Sequence, residues 1–303
     1  MIRAAALGAF AALVTATPPA WAEEVTIPTA TGPATLPAAP QTVVALDVAA
    51  IDTLEALGVP LAGIPAPHYL DYLDDVAAQA QTVGSLFEPD FEALAVMAPD
   101  LVIAGGRSSA QVDALSRIAP TIDMTVWGDD HLVQVSERIT AYGTLFDRED
   151  AAEKLVGRLE AKVAQAAEAV RGQGDALILL SNGGKVSAYG AGSRFGWLHS
   201  ALDLPEASPG LSTETHGEAV SFEFVAEVDP DWILVIDRGA AIGQSGEAAA
   251  ATLDNPLVAG TTAAQAGQIV YLDSGPLYIA GGGVQSVMGT LDELIGAFAG
   301  AEG

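Results

Sequence analysis

A duplicated segment constrains this chain more than any other feature. The run Asp90-Phe91-Glu92, then Pro99-Asp100-Leu101-Val102-Ile103, then Arg107 matches Ser221-Phe222-Glu223, then Pro230-Asp231-Trp232-Ile233-Leu234, then Arg238. The separation of glutamate from arginine is 15 residues in both copies, from 92 to 107 and from 223 to 238. Each copy reads as a short helix opening near the glutamate, a Pro-Asp turn, a buried strand and an arginine in the loop beyond the strand's C-terminal end. A weaker echo, 54–60 against 198–205, opens each half. The two halves are thus expected to be copies of one α/β unit facing each other across a cleft.

The rest of the chain supports that reading. β-rich runs at 43–46, 61–64, 101–104 and 122–126 alternate with helix-like segments such as 49–57 and 109–118, the pattern of an α/β sheet. From 148 to 170 the sequence turns uniformly helical, with Asp147 as the expected N-cap and Gly172 and Gly174 past the end. Strand-like runs resume at 176–180, 232–236 and 269–272, and an apolar helix at 285–298 closes the chain. A Gly32-Pro33 turn signal between 24–27 and 34–36 adds a short hairpin at the front. The predicted fold class is α/β: two Rossmann-like lobes joined by one long α-helix, with the ligand cleft between the lobes. The expected division is a leader at 1–22, an N-terminal lobe at 23–146, the connecting helix at 147–172 and a C-terminal lobe at 173–303.

Arg3, the apolar run 4–14 and Ala20-Trp21-Ala22 have the form of a cleavable secretory signal peptide. The apolar run is too short to span a bilayer, so the expectation is an exported, periplasmic chain that is not membrane-inserted. Cysteine is absent. No disulfide framework is available, and no thiol is present for a lipid anchor, so a freely diffusing protein is expected rather than a lipoprotein. The formal net charge is −27, from 39 acidic and 12 basic residues. Such a field repels nucleic acid and anionic membrane surfaces. In so acidic a molecule an anion site has to be built from a few placed arginines.

Ligands of open α/β sheets bind outside the C-terminal ends of the strands. Arg107 and Arg238 therefore occupy equivalent loops on opposite sides of the cleft. Arg194 is a third candidate, inside Tyr189-Gly190-Ala191-Gly192-Ser193-Arg194-Phe195-Gly196. There glycines permit close backbone approach, and the following segment, 196–202, can present a helix N-terminus. A guanidinium stays charged, stacks on aromatic rings and donates a planar fork of hydrogen bonds. Those properties suit a multiply charged anion such as a set of catecholate oxygens.

Gly105-Gly106-Arg107, Gly192-Ser193-Arg194-Phe195-Gly196 and Ile236-Asp237-Arg238, taken with the leader and the two lobes, resemble periplasmic ferric-catecholate siderophore-binding proteins of ABC importers. The similarity extends over essentially the whole mature chain. It implies that Arg107, Arg194 and Arg238 face the anionic catecholates, and that His216 and Tyr278 complete the iron coordination when the siderophore leaves two positions open. It implies that Glu92 and Glu223 dock, one per lobe, onto the two-fold permease dimer of the transporter. It further implies a monomeric binding protein, not an enzyme, with no intrinsic cofactor and with Fe(III) bound through the siderophore. One departure bears on ligand choice: Ser108, Ser109 and Ala110 stand where a basic residue often follows the first arginine.

Other readings stay open at this level. Haem or a corrinoid could also use His216 and Tyr278. A periplasmic hydrolase could pair His216 with Glu214 or Glu218, but the sequence displays no accompanying nucleophile or metal set. His68, His131 and His199 lack metal-ligand spacing and read as loop or packing residues. The glycines of 189–196 miss the dinucleotide fingerprint, Ala280-Gly281-Gly282-Gly283 lacks the lysine of a phosphate loop, and no Gly-x-Ser-x-Gly elbow is present.

Overall fold

The computed structural model describes residues 23–128, 130–244 and 248–300, so the leader expected at 1–22 lies outside the described residues. The chain opens with an antiparallel hairpin of β1 (Glu24–Thr29) and β2 (Gly32–Pro37). Its turn falls at Ala30-Thr31, and Gly32-Pro33 belongs to the second strand. The N-terminal lobe follows, with β3 (Val43–Ala45), β4 (Gly63–Ile64), β5 (Gln81–Thr82), β6 (Leu101–Ala104) and β7 (Thr121–Asp123). They form one parallel sheet in the order β5-β4-β3-β6-β7. Every residue of β3 and β6 is buried, which is why both read as unbroken apolar runs rather than alternating ones.

The C-terminal lobe contains β8 (Ala176–Asn182), β9 (Lys185–Tyr189), β10 (Glu218–Val220), β11 (Trp232–Asp237) and β12 (Ile269–Tyr271). Its sheet runs β10-β9-β8-β11-β12 and is mixed. β8, β11 and β12 are parallel, whereas β9 is antiparallel to β8 and β10 antiparallel to β9. The purely alternating pattern expected from the sequence breaks here for a local reason. Gly183 and Gly184 both take positive φ, 56° and 79°, the geometry of a two-residue hairpin turn, so the chain doubles back instead of crossing over through a helix.

The repeat is reproduced residue by residue. Helices Phe91–Met97 and Phe222–Val228 are capped by Asp90 and Ser221. Each ends on a left-handed residue, Ala98 (φ 49°) or Asp229 (φ 48°), immediately before the proline. The aspartate after that proline anchors the start of the neighbouring strand. Asp100 Oδ2 accepts from the N–H groups of Gln41 and Thr42 just before β3, and Asp231 Oδ2 accepts from Asp175 N–H just before β8. The Pro-Asp pair therefore both stops the helix and sets the register of the strand pair beside it.

Two helices bind the halves together. The long helix Glu149–Val170 buries Ala152, Leu155, Leu159, Ala166 and Val170, a single stripe at helical spacing. Its N-cap is Arg148, without a side-chain cap bond, while Asp147 adopts a left-handed φ of 54° and does not cap as expected. The C-terminal helix Val284–Ala299 packs on this long helix and on the N-terminal-lobe helix Val48–Ala56. Its N-terminus is capped from the other lobe: Asp52 accepts from Gln285 N–H at 2.8 Å and Ser286 N–H at 3.0 Å, and Thr53 Oγ1 from Val284 N–H at 3.2 Å. Gly283 is required there, because a Cβ would stand 2.5 Å from Asp52 Cγ. One continuous apolar core, including Ile51, Leu54, Leu159, Leu234 and Leu291, runs through both lobes and the connecting helix.

Candidate functional site

Strands β3, β6, β7 and β11 end, in the direction of the chain, on a cleft of about 530 Å³. Asp47 follows β3, Arg107 follows β6, Thr125 and Trp127 follow β7, Arg238 follows β11, and Tyr278 lies beyond β12. Arg194 and His216 both enter from the connection between β9 and β10, near its two ends. All five residues singled out for ligand and metal, Arg107, Arg194, Arg238, His216 and Tyr278, line this one cavity.

The three arginines gather on Tyr278. Arg107 reaches across from the N-terminal lobe and donates to the Tyr278 carbonyl at 3.0 Å and the Ile279 carbonyl at 3.2 Å. Arg194 donates to the Tyr278 carbonyl and stacks its guanidinium over the Tyr278 ring, 4.2 Å from the centroid. Arg238 Nε donates to the Tyr278 hydroxyl at 3.3 Å, and its NH1 donates to Asn182 Oδ1 at 3.3 Å. Among the described residues, none of the three is ion-paired to a carboxylate. Arg107 and Arg238 each commit two N–H groups and Arg194 one, out of the five a guanidinium carries. The remaining donors make no hydrogen bond among the described residues.

The electrostatics follow from this crowding. Burial, and next the like charge of Arg107, lower the pKa of Arg194, a penalty that an anion in the cleft would relieve. Burial alone would raise the Tyr278 phenol, but the charge of Arg194 and the hydrogen bond from Arg238 outweigh it, and the net direction is down. Asp47 sits behind Arg107 and caps the helix Val48–Ala56. Burial pushes it up to about 6, against the hydrogen bond from Ala50 and the charge of Arg107.

Several placements differ from the sequence reading. Tyr278 is not in a loop but in the short helix Ser274–Ile279, which Asp273 caps through Gly275 N–H. The segment after Gly196 is a single turn, Trp197–Ser200, and the N–H groups of Gly196 and Leu198 are spent on Ser193 and Phe195 carbonyls rather than on an anion. Gly196 is there for packing, since a Cβ would lie 2.4 Å from the Gly190 carbonyl. His131, read as an ordinary residue, also lines the cleft. Its Nε2–H donates to the Gly281 carbonyl at 2.8 Å, and its ring stacks on Trp197 with centroids 5.4 Å apart. His199 and His68 are packing and loop residues, bonded to the Leu204 carbonyl and to Leu70 N–H. Asp47, Phe87 and Trp127 line the cleft and were not singled out. Glu92 and Glu223 are both exposed and both occupy the second position of their repeat-related helices.

A pair of α/β lobes on a shared core, closing on a cleft furnished with cations from both sides, defines a solute-binding protein. The chain belongs to the periplasmic binding protein family, whose model matches residues 43–276. It is 35% identical over 268 residues to the petrobactin-binding protein YclQ of Bacillus subtilis, covering 86% of this chain and 83% of that one. It is 31% identical to the ferric-anguibactin-binding protein FatB of Vibrio anguillarum, covering 84% and 82%. Among solved structures it superposes on YclQ with a TM-score of 0.86 at 31% identity, covering 91% of this chain and 99% of that one. The catecholate-siderophore binding protein VctP of Vibrio cholerae gives 0.84 at 32%, with 90% and 99% covered. Relatives of this chain are thus siderophore-binding proteins, and among the described residues no helix is long and apolar enough to cross a membrane.

Proposed function

We propose that this protein captures a ferric catecholate siderophore in the cleft between its lobes and delivers it to an ABC importer for iron uptake. The convergence of Arg107, Arg194 and Arg238 on Tyr278, without carboxylate partners among the described residues, is the observation that carries this reading. A cationic cluster in a molecule of net charge −27 has its use in an anionic guest. At about 8 Å from an anionic centre and an effective dielectric near 20, each guanidinium supplies roughly 2 kcal/mol. The names of the relatives point to the same class of ligand.

On this reading Fe(III) enters as part of the cargo, and no covalent bond of the siderophore is made or broken. His216 and Tyr278 fill coordination positions that a tetradentate siderophore leaves open, the lowered phenol of Tyr278 favouring the phenolate that iron prefers. Glu92 and Glu223, exposed at equivalent helix starts, are the contacts for a two-fold permease. The mature protein, freed of its leader, diffuses as a monomer in the periplasm.

Calorimetric titration of the mature protein with ferric catecholate, hydroxamate and citrate complexes and with haem tests the reading. Micromolar or tighter binding of the catecholate complex is expected, with haem at least tenfold weaker. Preferential binding of haem, or no binding of any ferric chelate, would refute it. In parallel absorption titrations His216→Ala and Tyr278→Phe shift the visible charge-transfer band of a tetradentate complex; an unchanged band in both removes direct ligation.

A further inference from the structure

Three arginines explain why the cleft takes an anion, but they do not explain its exposed aromatic lining. Among the described residues, nine large apolar side chains are exposed, and two of those line the cleft: Phe87, 62% exposed, and Trp127, 42% exposed. Both are aromatic and both come from the N-terminal lobe, whereas Arg194, Arg238, His216 and Tyr278 come from the C-terminal lobe. The residues that follow Arg107, Ser108, Ser109 and Ala110, add no charge on the N-terminal side.

Trp127 is also held in place. The Gln134 side chain clamps both polar groups of its backbone, accepting from Trp127 N–H at 3.1 Å and donating to the Trp127 carbonyl at 2.6 Å. Upstream, the Thr125 hydroxyl donates to Asp123 Oδ1 and accepts from Gly106 N–H at 2.9 Å, tying this loop to the turn that carries Arg107. Phe87 stands on a tight turn closed by Ser85 N–H to the Glu88 carbonyl at 2.9 Å and Glu88 N–H to Ser85 Oγ at 3.1 Å. An exposed indole on a fastened backbone loses little conformational freedom when a guest packs on it. A flat apolar face in the same cleft as a cationic cluster suits a ligand whose anionic oxygens are carried on aromatic rings.

We infer that Trp127, supported by Phe87, is a specificity-determining wall that packs on the aryl rings of the ferric chelate and selects aromatic over aliphatic siderophores. This rests on the proposed siderophore function and narrows it. It assigns the choice of ligand class to the N-terminal lobe and the recognition of charge chiefly to the C-terminal lobe.

The test compares Trp127→Ala, Trp127→Phe and Arg238→Ala with the wild type. The probes are ferric 2,3-dihydroxybenzoylserine, which is aromatic, and ferric citrate, which is not, each titrated by calorimetry. Trp127→Ala is expected to weaken the aromatic chelate about 30-fold while leaving citrate within about twofold, and Trp127→Phe to keep most of the wild-type affinity. Arg238→Ala, which removes a charge contact and keeps Trp127, is expected to weaken both chelates. Where wild-type binding of citrate falls below detection, the contrast between the two Trp127 variants decides. Retention of the aromatic chelate by Trp127→Ala, an equal loss for both chelates, or equal losses for the alanine and phenylalanine variants overturns the inference while the siderophore function stands. Failure of the wild type to bind either chelate overturns both.

Discussion

At the scale of single residues, the cleft is a place where burial and charge set protonation. His131 illustrates it. Buried between the Gly281 carbonyl and the Trp197 ring, its imidazole is pushed down to about 4, because desolvation disfavours the cation more than the carbonyl favours it. The neutral Nε2–H tautomer should therefore persist at pH 5.5 in a ¹⁵N imidazole titration; protonation with a midpoint near 6.5 would contradict the packing. The sign for stability follows. An unfolded chain takes up this proton below its ordinary pKa near 6.5 and the folded chain does not, so His131 contributes a loss of stability as pH falls from about 6.5 to 4, on the order of 3 kcal/mol. The sequence revealed the arginines and not this histidine for a physical reason. Arg107 and Arg238 sit in repeated segments whose geometry can be inferred twice over, while His131 owes its role to Gly281 and Trp197, neighbours that only the approach of the two lobes supplies.

At the scale of elements, the repeated helix, turn and strand was legible because each of its residues has a local duty: a cap at Asp90 or Ser221, a stop at the proline, an anchor at Asp100 or Asp231. The antiparallel return of β9 was missed although Asn182-Gly183-Gly184-Lys185 carries a hairpin signal, since the run of alternation on either side suggested a crossover. The capping of the C-terminal helix by Asp52 could not be read at all, because cap and helix are more than 200 residues apart in sequence and belong to different lobes. That carboxylate, also hydrogen-bonded by the Tyr72 hydroxyl at 2.6 Å, leaves buried N–H groups unsatisfied when removed. Asp52→Ala should lower stability by about 2 kcal/mol or more and raise amide exchange at Gln285 and Ser286. Unchanged melting and exchange would show that the inter-lobe cap carries no weight.

At the scale of the whole molecule, the two lobes are not free modules. The long helix Glu149–Val170, the C-terminal helix laid against it, and a core continuous across all of them tie the lobes together, an arrangement for which the expected closure on a guest is modest rather than a wide hinge motion. This places the burden of binding on side chains already gathered in the cleft, chiefly three guanidinium groups inside an otherwise acidic protein. The dissociation constant of the mature protein for a ferric tris-catecholate, compared with that of the Arg107→Ala/Arg238→Ala double variant, tests this most directly. With one cation removed from each lobe, affinity should fall at least about 100-fold while the fold, followed by circular dichroism, is retained. A correctly folded double variant that binds the chelate within a few-fold of the wild type would contradict the account.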